Sequence, residues 1–372
     1  MSPIPIDFVA HGGRDQGLGH IVRSARHAAE AIDRGWRVRG WVEGDDAALA
    51  VWARTCGRPA RPLREAHEAF APIVAVDGPD DKRALLGRLG EIGARPLLID
   101  DERAYARRPN APRGWRLLPG LHHAPVDTSG ATDASGFALL AGPRFAILSD
   151  AHRFAPEPTR AERSSLLVSL GGSDPHRAGP RVALGALEAL GTLAHRDEIE
   201  MPDRVDVVFG PCFVDDDARE ARALRDAGCF VHHALDASGM SDRMQQARLA
   251  LIGFGTSVTE LAWHGTPFLT LTHRERDRGP ARNLEARGYG RVLGSAQRLD
   301  RVPIAKRVRR ALLDGLWQEE SARAARLAVG DARGASRLFD RIESDLALRS
   351  ARGSALPERA ADAAAVQAGG MA

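Results

Sequence analysis

The amino-acid sequence predicts an α/β protein built from two Rossmann-like, doubly wound domains. Three observations carry this expectation. The chain has 372 residues, which favours two hydrophobic cores over one. Short apolar runs alternate with helix-length segments through both halves, the order expected of repeated βα units. The runs are continuous rather than alternating, as suits strands buried on both faces of a parallel sheet.

Taken in order, the first run is IDFVA (6–10), which breaks into glycines before a helical segment at 22–34. VRGWV (38–42), PIVAVDG (72–78), PLLIDDE (96–102), WRLLPG (115–120) and FALLAG (137–142) read as further strands, and ATDASGF (131–137) as a surface loop. Pro156 and Pro158 then interrupt both strand and helix in a charge-dense stretch, so the domain break is expected there. The expected domains are 1–155 and 162–335. In the second, SSLLVSLGG (164–172), VDVVFGP (205–211), CFVHHAL (229–235), LALIGFG (249–255) and PFLTLT (267–272) are strands, with a helix at 256–264. Segment 336–350 reads as a helix with Leu338, Ile342 and Leu346 as its apolar stripe, returning to the first domain. The stretch 351–372 is rich in small residues, lacks an apolar face and is expected to be a disordered tail.

Composition narrows the function classes. No apolar run approaches the roughly 18–20 residues of a membrane span. The first residues carry neither a basic segment nor a long apolar core, so no signal peptide is expected. Cys56, Cys212 and Cys229 are too widely spaced for a zinc motif or a disulfide framework, and a reducing cytoplasm is the expected compartment. The net charge is +3, and its basic residues are scattered arginines, with Lys82 and Lys306 the two lysines. That pattern is not the basic stripe of a nucleic-acid binder.

Chemistry concentrates at strand-to-helix turns. The first contains Gly17, Gly19 and His20; the second Gly171, Gly172 and Ser173; the third Gly255, Thr256 and Ser257, with Glu260 one helical turn on; a shorter one lies at Gly210. Helix N-termini offer unpaired N–H groups and partial positive charge, and glycines let a diphosphate approach them. In open parallel sheets such turns sit at the ligand-binding edge. The first turn lacks the G-x-G-x-x-G spacing of a dinucleotide fingerprint, and no G-K-[ST] follows Gly171-Gly172, so neither a nicotinamide site nor a P-loop is indicated.

The ordered set Gly17-Leu18-Gly19-His20-Ile21-Val22-Arg23, LLIDDE, LLAGPRFAIL, LLVSLGGSDP, ALIGFGTSVTELAWHGTP and GDARGASRL resembles the pseudaminic-acid-pathway UDP-sugar hydrolases and the related spore-coat polysaccharide proteins. These are similar to the lipid-II-forming GlcNAc transferase and share its GT-B fold. The resemblance covers about residues 6–340. It implies a UDP-sugar held by the second domain and cleaved at its anomeric C–O bond, with inversion, by a water that His20 activates. No metal and no cofactor are implied. The sugar-side motifs depart from the family: Arg276-Asp277 stand where it carries Asn-Gln, Leu148-Ser149 where it carries Leu-Arg, and Asp100-Asp101-Glu102 where a tyrosine follows the aspartate. Transfer to a lipid, glycan or small-molecule acceptor is the alternative activity, and a non-catalytic nucleotide-sugar binder is a third.

Competing readings attend each residue. His20 is a general base, a helix cap or a steadying group for pyrophosphate. Arg23, three residues on, lies on the same helix face and balances phosphate charge or forms a surface ion pair. Asp100 and Asp101 supply a second general base, or cap a helix, or with Glu102 hold Mg²⁺. Glu260 accepts the ribose hydroxyls or simply faces solvent. Asp174 is expected to cap a helix that Pro175 begins, and His152 and His264 to be structural. Arg276 is carried with the substrate-binding set. The adjacent pairs His122-His123 and His232-His233 point apart on a helix or strand, so neither is expected to bind metal.

Overall fold

The computed structural model describes residues 3–14, 16–66, 70–105, 113–126, 131–156, 162–194 and 201–353. The first half contains β1 (Pro5–His11), α1 (Gly19–Asp33), β2 (Arg37–Glu43), α2 (Asp46–Cys56), β3 (Arg61–Pro62), β4 (Ile73–Asp77), α3 (Arg83–Glu91), β5 (Arg95–Ile99), β6 (Trp115–Leu118), β7 (Ala138–Ala141) and α4 (Asp150–Arg153). The second contains β8 (Ser165–Ser169), α5 (Ala178–Leu193), β9 (Arg204–Phe209), α6 (Arg219–Asp226), β10 (Phe230–His233), α7 (Ala237–Gln246), β11 (Ala247–Gly253), α8 (Ser257–Trp263), β12 (Phe268–Thr272), α9 (Arg278–Ala286), β13 (Arg291–Ser295), α10 (Arg301–Leu313) and α11 (Gly315–Val329), and α12 (Gly334–Gly353) ends the described chain.

The two sheets follow the orders β3-β2-β1-β4-β5-β6-β7 and β10-β9-β8-β11-β12-β13. Every strand pair in them is parallel. The expected pair of doubly wound α/β sheets is therefore present. In each sheet the chain reverses its winding direction beside the first strand, between β1 and β4 and between β8 and β11. Such switch points open a crevice at the carboxyl ends of the strands.

Two strands escape the sequence reading. β3 has two residues, and β13 is the edge segment RVLGS, whose arginine, glycine and register shift against β12 hide its apolar pattern. α12 runs through Gly353, three residues past its expected end, and 354–372 lie outside the described residues, as do 157–161 at the expected domain break. Leu338, Phe339 and Ile342 are fully buried among Ile6, Phe8, Ile21 and Trp36, so α12 completes the core beneath the first sheet. Leu346 packs at the margin of the same cluster. Among the described residues no helix is long and apolar enough to cross a membrane. All three cysteines are buried and free.

Candidate functional site

The site grows out of the first switch point. After β1 the chain makes a tight loop in which Gly13 and Gly17 exchange backbone hydrogen bonds of 3.1 and 2.8 Å. Gly17 has a φ of +83°, a left-handed conformation that side-chain-bearing residues rarely adopt. Asp45 caps α2 through the Ala48 N–H and also accepts from the Arg14 N–H at 3.2 Å, which ties the loop down. α1 then starts with no side-chain cap and no acidic residue in its first turn, so no residue of the helix itself offsets its positive end.

His20 stands in that first turn, its side chain 20% exposed. Its Nδ1 lies 2.7 Å from Asp77 Oδ1, at the end of β4, and Asp77 is fully buried. Arg23 donates to Asp77 through Nε (2.8 Å) and Nη2 (2.7 Å) and to Asp100 Oδ2 through Nη1 (2.6 Å). Ser24 Oγ donates to Asp77 Oδ2 at 3.3 Å. Burial alone would raise the Asp77 carboxyl; the Arg23 guanidinium and His20 overcome it and hold the group at about 2. An ionised carboxylate only accepts, so His20 Nδ1 carries the proton and donates it to Asp77. The Nε2 lone pair is then left for another proton. Asp100 is likewise held well below its ordinary value, burial opposing and Arg23 prevailing.

Asp101 does not join this group. Its buried carboxylate accepts from Lys82 Nζ (2.8 Å), Tyr105 OH (2.7 Å) and the Arg103 N–H (3.0 Å), so the expectation of a catalytic base at this position gives way to a local tether.

The glycine turns of the second half meet this face. Leu18 packs on Gly172, and a Cβ placed on Gly19 would sit 3.9 Å from Thr256 Cγ2. Thus Gly17–His20, Gly171–Ser173 and Gly255–Ser257 converge. A side chain at Gly210 would overlap the carbonyl oxygens of Gly171 and Gly172, so the fourth turn supports the second. Arg274 Nη2 donates to Gln16 O (3.0 Å) and Arg276 Nη1 to Pro79 O (3.5 Å), which places both arginines across from the first-half loops.

Asp174 caps α5, accepting from the Ala178 (3.1 Å) and Gly179 (2.7 Å) N–H groups, but Pro175 does not begin that helix. Arg177 intervenes in a left-handed conformation, and the helix starts at Ala178. Glu260 does not face solvent. It is buried, with Oε1 2.9 Å from Arg26 Nη2 of α1 and 3.5 Å from His152 Nε2. Burial would raise its carboxyl, and His152 and Arg26 hold it down instead. His152 Nδ1 lies 2.9 Å from His264 Nε2, and burial pushes the His264 imidazole down to about 3.

His122 and His123 correct a second expectation. They lie on a turn after β6, neither helix nor strand, so the alternation that would separate them does not operate. Their ring centroids are 3.9 Å apart, beside Asp100. His232 and His233 do point apart on β10: one meets Asp206 at 2.9 Å, the other Phe209.

Sequence reasoning missed Asp77, Arg26 and His11, which ends β1 with its Nδ1 3.0 Å from Glu43 at the end of β2. Asp77 had a signal: it closes the apolar run PIVAVDG immediately before a glycine.

No protein-family model matches this chain, and no curated protein matches it in sequence. It is similar in structure to a calicheamicin glycosyltransferase, at 16% identity and TM-score 0.60 over 93% of this chain and 99% of that one. It is similar to the UDP-GlcNAc 2-epimerase of Neisseria meningitidis bound to UDP-GlcNAc, at 12% identity and TM-score 0.58 over 92% and 100%. The MurG of Acinetobacter baumannii matches at 13% identity and TM-score 0.55 over 92% and 100%. The shared property at these identities is the fold: two parallel-sheet α/β units of GT-B type.

Proposed function

We propose that this chain is an enzyme that processes a nucleotide sugar, moving the glycosyl group of a UDP-sugar to an acceptor oxygen with inversion. The observation that carries the reading is the His20–Asp77 pair, set at the switch point of one sheet and opposite the glycine turns of the other. Glycosyltransferases and UDP-GlcNAc epimerases among the structural relatives support the same substrate class.

In this reading the diphosphate lies against backbone N–H groups at Gly171–Ser173 and Gly255–Ser257 and the open end of α1. Arg276 adds charge, and Glu260 turns its second oxygen to the ribose. The acceptor O–H attacks the anomeric carbon from the face opposite the diphosphate. Its proton passes to His20 Nε2 as the new C–O bond forms and the bond to the β-phosphate oxygen breaks, and the electron pair leaves with UDP. Asp77 fixes the tautomer and steadies the imidazolium. Arg23 acts on substrate only through Asp77 and Asp100.

Hydrolysis, with water as acceptor, is the second reading, favoured by the ordered motifs around Gly17–Arg23 and Leu166–Pro175. The deciding experiment measures UDP release from a panel of UDP-sugars, with and without candidate acceptors. Release by water alone selects the hydrolase; release only with an acceptor selects the transferase. UDP should also raise the melting temperature more than GDP or AMP. Binding without turnover under any acceptor, or unchanged turnover in His20→Ala, refutes the catalytic reading.

A further inference from the structure

We propose that Asp100, His122 and His123 form a binding site for a divalent transition-metal ion of the zinc class, with Glu102 as its outer carboxylate. This inference does not depend on the nucleotide-sugar reading.

One ligand atom from each of the three residues lies within 4.8 Å of the other two. A tetrahedral ion with bonds of about 2.1 Å holds its ligands ~3.4 Å apart, so side-chain rotations of about an ångström close the site. The second observation is an orphaned nitrogen. His123 is only 8% exposed, and its Nε2 is buried with no hydrogen-bond partner. It faces Asp100 Oδ1 at 3.7 Å, too far for a hydrogen bond. A buried imidazole nitrogen left without a partner is costly unless something else occupies its lone pair.

The surroundings fit a cation. Glu102 Oε1 lies 3.2 Å from His123 Nδ1 and 3.7 Å from His122 Nε2, and its charge favours the His123 tautomer with the proton on Nδ1 and the lone pair on Nε2. Metal-bound histidines are oriented by an outer carboxylate in this manner. Asp100 has a φ of 55°, which turns its side chain out of the strand direction, and Arg23 holds only its Oδ2. Asp77 and Asp100 share one guanidinium, Arg23, and Glu102 adds a carboxylate on the histidine side, so the local charge suits a divalent ion. Phe254 covers the His122 ring from the second half at 5.5 Å.

Two imidazoles with one carboxylate select zinc, cobalt or nickel over magnesium and calcium, which prefer oxygen. Three protein ligands leave a fourth position for water or a substrate oxygen. Asp100 and His20 both contact Arg23, so the ion would lie one side chain removed from the proposed base.

The test uses untagged full-length protein stripped with a chelator. Zn²⁺ is titrated calorimetrically and Co²⁺ by its visible absorption. The expected result is about one ion per chain with Kd of about 1 μM or tighter. His122→Gln and His123→Ala should each weaken binding ~100-fold or more, and Glu102→Gln roughly 10–100-fold. His232→Ala, on β10, should leave it unchanged. Melting of every variant in chelator checks folding; if His123→Ala fails to fold, the more accessible His122→Gln decides. Absence of Zn²⁺ and Co²⁺ binding at ~100 μM, equal affinity for Mg²⁺, or binding indifferent to the His122 change overturns the proposal.

Discussion

Replacing Asp77 with asparagine probes the centre of the proposed mechanism. The carboxylate receives Arg23 Nε, Arg23 Nη2 and His20 Nδ1 within 2.8 Å and has no solvent access. Holding it at about 2 rather than near 3.8 corresponds to about 2 kcal/mol in favour of its charged form. Asparagine removes the charge and turns an N–H₂ group toward donors that now meet an oxygen. Arg23 keeps Asp100 as a partner, so the cost should sit near the lower end for a broken buried pair, about 3 kcal/mol. For a cooperative unit of 150–250 residues that lowers the melting temperature by roughly 6–12 °C. Assays well below this temperature isolate the chemical effect. Without its acceptor the His20 ring loses its fixed tautomer, and turnover at saturating donor should fall about 10²-fold or more, with donor KM little changed. Nitrogen NMR of the imidazole should show the Nδ1–H form in the parent and a mixture in Asp77→Asn. Because Asp77 acts through His20, the double variant with His20→Ala should be no slower than His20→Ala alone. Multiplying losses, or parental turnover in Asp77→Asn, would refute the reasoning.

Acid should destabilise the protein well above the carboxylate range. Burial pushes His27 and His264 down to about 3, so below 6.5 the unfolded chain takes up protons that the folded one refuses. Stability is then full above 6.5 and falls with pH toward 3, by about 2 kcal/mol per histidine at pH 5, measurable in urea melts. His27 has both ring nitrogens buried without partners, so His27→Leu should raise stability by about 1–2 kcal/mol and flatten that dependence. Phe339→Ala, which removes a fully buried ring packed on Trp36 at 5.1 Å, should cost about 3–5 kcal/mol in the same melts. Gly210→Ala should displace the Gly171–Gly172 loop and weaken UDP binding at least tenfold by calorimetry; unchanged affinity would separate that loop from the nucleotide.

What the sequence makes legible follows from the range over which each interaction acts. Strand runs such as IDFVA and LALIG are visible because burial on both faces writes a continuous apolar string into neighbouring residues. Glycine turns are visible because one close approach or one positive φ selects one residue type. Asp77 is adjacent in space to His20 but 57 positions away in the chain. The two meet because β4 pairs with β1 on the side opposite β2, a consequence of crossover order that local pattern does not encode. Glu260 shows the same limit, since neither of its two readings, ribose acceptor or solvent-facing residue, includes the Arg26 partner that comes from the other half. The two histidine pairs make the point most sharply. His232-His233 and His122-His123 are identical dipeptides, and identity alone assigns them one behaviour. On β10 the pleat sends one imidazole to Asp206 and the other to Phe209. On the turn after β6 the pleat is absent, and both rings collect beside Asp100. Side-chain type supplies the chemistry, but backbone conformation decides whether neighbouring groups can share a ligand.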